Sequence, residues 1–221
     1  MKYDWDTIGE DGLHFFGTVS ASISHEIKNV LAILNENAGL MEDLVSMAEK
    51  GISLNNERLK SIAVSMKKQI QRGDLIAKNM NRFAHSVDDF LITVDVSETL
   101  ELVVSLSGRS ADMRGVRLNP QYIPRKICIS THPFFLETLL WRCLNVAITF
   151  SGKEKTVGIM IEEMGKGARV SFSGLNNLSA LLPDEFPSKR ENALRDALCA
   201  DIGMDVTCGQ IWVNLPEKIG A

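Results

Sequence analysis

No stretch of the 221-residue sequence holds about 18 consecutive apolar residues, which excludes a membrane-spanning helix. Positive charge is not in excess: 24 basic residues stand against 28 acidic ones, a formal net charge of -4. Nothing therefore points to nucleic acid or to an anionic lipid surface. The four cysteines, Cys128, Cys143, Cys199 and Cys208, all lie in the second half and form no CxxC pair. That suits neither a zinc ribbon nor a disulfide framework, and they read as reduced, buried thiols. The opening residues, MKYDWDTIGEDG, lack the charge and the apolar stretch of a signal peptide, so the expected location is the cytoplasm. Neither an internal repeat nor a low-complexity segment is present. What remains is ordinary for a soluble globular chain: 45% hydrophobic and 24% charged residues, enough for one large domain or two small ones.

Proline is absent from residue 13 to about residue 90, and there the apolar residues recur at helical spacing. Phe16, Val19, Ile23, Ile27, Val30, Leu34, Met41 and Leu44 form one stripe, interrupted by the polar Asn37. Leu59, Ile62, Met66, Ile70, Ala77, Met80, Phe83 (or Ala84) and Val87 form a second. Between them, Gly51 is a helix stop and Asn55 or Asn56 an N-cap. Each helix spans roughly 30 to 35 residues, about 50 Å at the helical rise. Two such antiparallel helices cannot bury both stripes alone. A homodimeric four-helix bundle is the expected solution.

From about residue 94 strands and helices mix. VDVSETLELVVSLSGRSADMRG reads as a short strand and a helix. VRLNPQ and KICIS read as strands, with Pro120 and Pro124 marking the turn between them. PFFLETLLWRCLNVAITF is an apolar helix with Pro133 in its first turn. TVGIMIEE and ARVSFSG form a hairpin about Met164 to Gly167. A last helix lies near Arg190 to Asp201, and QIWVNLP closes the chain as a strand. The expected fold is therefore α+β: a helical hairpin over residues 1–92, then a two-layer α/β sandwich over residues 93–221.

The segment SASISHEIKNVLAIL carries the chemistry. With Ile23 and Ile27 facing the core, His25 lies about 200° round the helix from Ile23 and points away. Asn29 is one turn on and shares its face. Ser22 and Ala32 are small, so another protein can approach closely. A neutral imidazole attacks phosphorus through one ring nitrogen, and a carboxylate such as Glu26 accepts the proton of the other. An amide one turn away can hold a water. A lone surface histidine is, equally, often just solvated. A second histidine at helical spacing is missing, so this is not a zinc-protease helix.

His25, Glu26, Ile27, Lys28 and Asn29 match, in order, the phospho-acceptor motif of two-component histidine kinases, which SHEIKN resembles. Val30 stands where that family usually has proline. Arg72, Gly73, Ile76, Phe83 and Ala84 are similar to the family's second bundle helix. Gly73 reads equally well as a close-packing position. His85 reads as a rim residue, without a following acid. The second half resembles the family's ATP-binding domain in its opening and in the helix that carries two nucleotide and magnesium asparagines. Arg142 and Val146 stand at those two positions, and Asn145 is one residue off register, on another face. An Asp-x-Gly-x-Gly stretch and a Gly-rich phosphate loop are both missing. Magnesium wants oxygen ligands, which valine and arginine do not offer.

The resemblance thus implies a histidine phosphotransferase: a dimer that relays a phosphoryl group through His25 to or from the aspartate of a response-regulator receiver domain. Glu26 takes the imidazole proton, Lys28 lends positive charge and Asn29 places water. No ATP, metal or other cofactor of its own is expected, since the receiver brings magnesium; ATP-dependent autophosphorylation is not expected either. The alternatives are a kinase with a divergent nucleotide site, which needs Arg142 and Asn145, and a non-catalytic dimeric regulator that binds a receiver.

Overall fold

The computed structural model describes residues 4–121, 125–181 and 185–220. Two long helices come first: α1 over Trp5–Glu49 and α2 over Asn56–His85. Helix α1 has 45 residues, longer than expected, because the polar opening is itself helical. Asp4 caps it, accepting from the Thr7 backbone N–H at 3.2 Å and from the Thr7 hydroxyl at 2.9 Å. Ile8, Asp11, Phe15 and Val19 then fall at helical spacing and are buried. Gly51 ends the helix with φ of +81°, and Ile52 N–H closes onto the Met47 carbonyl. Asn55 caps α2 through Arg58 N–H at 3.1 Å.

The described chain forms two compact units. One is Ser20–Arg82, the helical hairpin; the other joins the chain up to Val19 with the chain from Phe83 onward. In the hairpin, Ile23, Val30, Leu44, Ile62 and Ile76 are buried. Asn37 is buried with them and satisfied, donating to the Ile33 carbonyl and to Ser65 Oγ. Ile27, Met41 and Ile70, expected in the core, are exposed instead. Ile27 and Met41 belong to a second face, on which Ile27, Leu31, Leu34, Ala38, Met41 and Val45 alternate by four and three residues along α1. A two-helix hairpin covers one seam per helix, and this second seam is left open in the protomer.

In the other unit, β1 (Ile92–Asp95) pairs antiparallel with β3 (Cys128–Thr131). A five-stranded sheet runs in the order β2-β4-β5-β7-β6, from β2 (Arg117–Gln121), β4 (Thr156–Met164), β5 (Gly167–Ser173), β6 (Asp201–Asp205) and β7 (Gln210–Leu215). Of the described strand pairs in this sheet, β2–β4 is parallel and the other three are antiparallel. Helices α3 (Val96–Met113), α4 (Pro133–Thr149) and α5 (Lys189–Leu198) cover it. The hairpin about Met164 and Gly167 is as expected. Alternation puts Val157, Ile159, Ile161, Val170, Phe172, Ile211 and Val213 on the buried face, against Leu136, Leu139, Leu140 and Leu144 of α4.

Three expectations change. Pro120 lies inside β2 rather than in a turn; β2 is a sheet edge, where a missing N–H is tolerated. Pro124 lies outside the described residues. The last helix stops at Leu198, where Cys199 takes a left-handed conformation, and a strand, β6, follows. Of the four cysteines, all free, only Cys143 is buried. Burial lifts its thiol far above the ordinary range.

Candidate functional site

His25 lies on α1, exposed to solvent, and Lys28 and Asn29 are exposed on the same helical face. The positions are i, i+3 and i+4, so a single approaching surface meets all three. Among the described residues, none engages the His25 ring by hydrogen bond or ion pair. Glu26 turns away toward α2. It is half-buried, and its Oε2 lies 3.6 Å from the Arg72 guanidinium. That separation is an ion pair without a hydrogen bond. Sequence reasoning placed Glu26 beside the imidazole but gave it no partner of its own. Gly73, next to Arg72, is not forced by packing: a Cβ there would meet Val30 Cγ1 at 3.6 Å, an ordinary contact.

His85 is exposed at the end of α2, where its Nδ1 lies 2.7 Å from Oδ2 of Asp88, three residues on. Both side chains are well exposed. A further histidine that the sequence did not single out, His132, caps α4 before Pro133. Its ring stacks on Phe135 with centroids 3.7 Å apart, and Phe90 meets it edge-on at 4.8 Å. Burial pushes this imidazole down to about 4.

The helix α4 positions that correspond to the kinase asparagines both line one cavity of about 410 Å³. Arg142 and Val146 stand in it with His14, Trp141, Thr149, Phe150, Arg190 and Glu191. Asn145 lines it too, contrary to the expectation of another face. Positions 142, 145, 146 and 149 are i, i+3, i+4 and i+7 of a helix and so form one stripe.

Arg142 is the centre of this wall. Its Nη1 donates to Asp11 Oδ1 at 2.6 Å, and its Nε donates to Glu191 Oε1. Three elements meet there: α1, α4 and α5. Asp11 and Glu191 are both almost fully buried, with side-chain exposures of 1% and 2%. Burial pushes the Asp11 carboxyl above its usual range, against the pull of Arg142 and Arg190. Glu191 Oε2 accepts from the Ser188 backbone N–H at 2.8 Å and from the Ser188 hydroxyl, closing a capping box on α5. Both Glu191 oxygens are therefore engaged. Beside the cluster, Phe15 packs on Phe83 at 5.0 Å and on Trp141 at 4.8 Å. A guanidinium and a valine, neither of which offers magnesium an oxygen ligand, stand at the two positions matched by resemblance to the kinase asparagines, and both oxygens of Glu191 are already held. No group of three or more His, Cys, Asp or Glu suited to a metal occurs among the described residues.

No family model matches the chain, and no curated protein matches it. Solved structures of similar course do exist. The catalytic domain of the histidine kinase ThkA in a nucleotide-free form aligns at 14% identity and a TM-score of 0.49, over 59% of this chain and 99% of that one. The Acinetobacter baumannii histidine kinase AdeS aligns at 14% identity and a TM-score of 0.48, over 87% of this chain and 98% of that one. Full-length ShkA in complex with AMPPNP aligns at 16% identity and a TM-score of 0.43, over 86% of this chain and 45% of that one. Likeness at this level says nothing about chemistry. Among the described residues, no helix is long and apolar enough to cross a membrane.

Proposed function

We propose that this chain is a histidine phosphotransfer protein that exchanges a phosphoryl group between His25 and the aspartate of a response-regulator receiver domain. The observation that carries the reading is an exposed, unengaged imidazole in the segment SHEIKN, with Lys28 and Asn29 on its own helical face. In the forward step one His25 ring nitrogen attacks the phosphorus of the receiver's aspartyl phosphate. A nitrogen–phosphorus bond forms, the aspartate–phosphorus bond breaks, and the carboxylate leaves as the anion. The proton on the other ring nitrogen passes toward Glu26, whose loose pairing with Arg72 leaves it able to move. Lys28 offsets charge on the phosphoryl oxygens, and Asn29 orients water when the phosphoryl group is hydrolysed. Phosphoryl transfer asks chiefly for positioning and charge neutralisation, which a helix face supplies. The receiver brings its own divalent cation, and this chain contributes no metal or nucleotide. The chain works as a homodimer, two hairpins joined through the open seam of α1 to make a four-helix bundle, in the cytoplasm where receivers are found.

One observation favours a second reading, a kinase with a divergent nucleotide site: Asn145 stands in the α4 cavity beside Arg142. A two-armed radiolabel assay separates the readings. One arm supplies labelled ATP with magnesium, the other a labelled phosphorylated receiver. Label on the protein in the receiver arm alone, lost in His25→Ala, is the expected result. Label from ATP alone restores the kinase. No label in either arm, with several receivers tried, leaves a dimeric regulator that only binds.

A further inference from the structure

The cavity between α4 and α5 has several hydrogen-bonding groups that no described residue uses. Glu191 has both oxygens engaged, by Arg142 and by Ser188. The Thr149 hydroxyl donates to the Asn145 carbonyl and accepts from Arg114. Arg142 uses Nε and Nη1 on its two carboxylates, which leaves Nη2 without a partner among the described residues. Arg190 makes only long contacts, 3.4 Å to Glu10 and 4.0 Å to Asp11. The Asn145 side-chain amide bonds to none of the described residues. Among the described residues, the His14 ring meets the Trp141 ring, 6.0 Å away, and makes no hydrogen bond. Two arginines, an asparagine and a histidine thus line one space with hydrogen-bonding capacity to spare, the arginines offering N–H donors alone. The carboxylates of Asp11 and Glu191 are buried beside the guanidinium, Glu191 with both oxygens engaged and Asp11 held through Oδ1 alone.

The remaining walls are apolar and flat: Trp141, Phe150 and Val146. A volume of about 410 Å³ suits a ligand of one ring with a charged head. Convergent donors facing an aromatic wall select an anion carried on a planar body. We infer that this cavity is a binding site for a small aromatic anion, with a phosphate or carboxylate head against Arg142, Arg190 and Asn145 and its ring against Trp141 and Phe150. It needs no metal, because the free N–H groups of the arginines meet the anionic head directly. The site is separate from His25 and goes beyond the phosphotransfer reading.

The test is a titration of the full-length protein, followed by amide and indole resonances in two-dimensional NMR. The probes are phenyl phosphate, benzoate, inorganic phosphate and phenol. Phenyl phosphate, benzoate or both saturate with Kd at or below ~1 mM, phosphate binds more weakly and phenol not at all. Shifts concentrate at Trp141, Asn145, Phe150 and Arg190. Arg190→Gln and Asn145→Leu each weaken binding by ~10-fold without lowering the melting temperature, and His25→Ala leaves binding unchanged. Three outcomes overturn the proposal: no saturable shift below ~10 mM of either aromatic probe, shifts scattered over the surface, or wild-type affinity in both cavity variants. Magnesium-ADP saturating the same resonances more tightly than phenyl phosphate also overturns it and favours the nucleotide reading. Receiver-dependent labelling of His25 decides the phosphotransfer reading independently.

Discussion

The Glu26 carboxylate lies 3.6 Å from the Arg72 guanidinium, while His25, one residue earlier on α1, is exposed and meets no partner among the described residues. The proposed nucleophile and the acid beside it are thus separated by one step round the helix. Glu26→Gln keeps the size of the side chain and removes its basicity. We expect transfer from a phosphorylated receiver to slow by about 100-fold, with receiver affinity unchanged. His25→Ala abolishes labelling. Rapid-quench transfer kinetics check both, and an E26Q rate equal to wild type would remove Glu26 from the mechanism.

Leu31 and Val45 on the open seam of α1 are 58% and 55% exposed in the protomer. Substitution of an exposed side chain costs an isolated protomer little. If the seam joins two copies, Leu31→Glu or Val45→Glu places charge in that joint. Sedimentation equilibrium is expected to show a dimer for wild type and a monomer for either variant. A wild-type monomer at all concentrations would end the bundle reading.

Gly73 sits inside α2, where glycine lowers helix stability, and a Cβ there meets only Val30 at 3.6 Å. Gly73→Ala is therefore expected to stabilise the protein by about 0.5–1 kcal/mol in urea unfolding. Destabilisation would mean that the position is kept for close approach by something else, such as a docked receiver.

Arg142 bridges two buried carboxylates on two other elements. Arg142→Ala removes the guanidinium that both carboxylates share, leaving Glu191 only Ser188 and Asp11 only the more distant Arg190, and is expected to cost roughly 3–5 kcal/mol. The measurement is chemical denaturation, followed by the fluorescence of Trp141 beside it. A loss within the range of ordinary surface substitutions would contradict the bridging role.

His132 is buried and its imidazole is held down to about 4. Between its ordinary value near 6.5 and about 4, the unfolded chain binds a proton that the folded chain refuses. Its stability contribution is thus complete above about 6.5 and is lost as the pH falls toward 4, up to about 3 kcal/mol in all. His132→Asn keeps an N-cap and removes the titration. Unfolding free energies across that pH range should fall less steeply for this variant than for wild type.

Much of this protein follows from local pattern. The period of the apolar residues marks the long helices, the two-residue alternation of TVGIMIEE and ARVSFSG marks a hairpin, and one hundred degrees per residue turns His25 outward from Ile23. These depend on neighbours a few positions away. Some misreadings were local too: Asn145 shares the stripe of Arg142 by simple helical spacing, and Ile8 continues the pattern of Phe15. Others were beyond local reading. Asp11 and Arg142 are 131 residues apart, so nothing in either segment announces the ion pair that ties α1 to α4. The same holds for Arg72 meeting Glu26, and for β6, a short strand whose place depends on β7 beside it. A burial pattern is written into each helix, but the charge a residue faces is decided by which distant segment packs against it. The sequence by itself therefore determined the elements and the outward-facing histidine. Tertiary packing decided where the arginine of α4 points, and so whether that cavity offers oxygen to a metal or N–H groups to an anion.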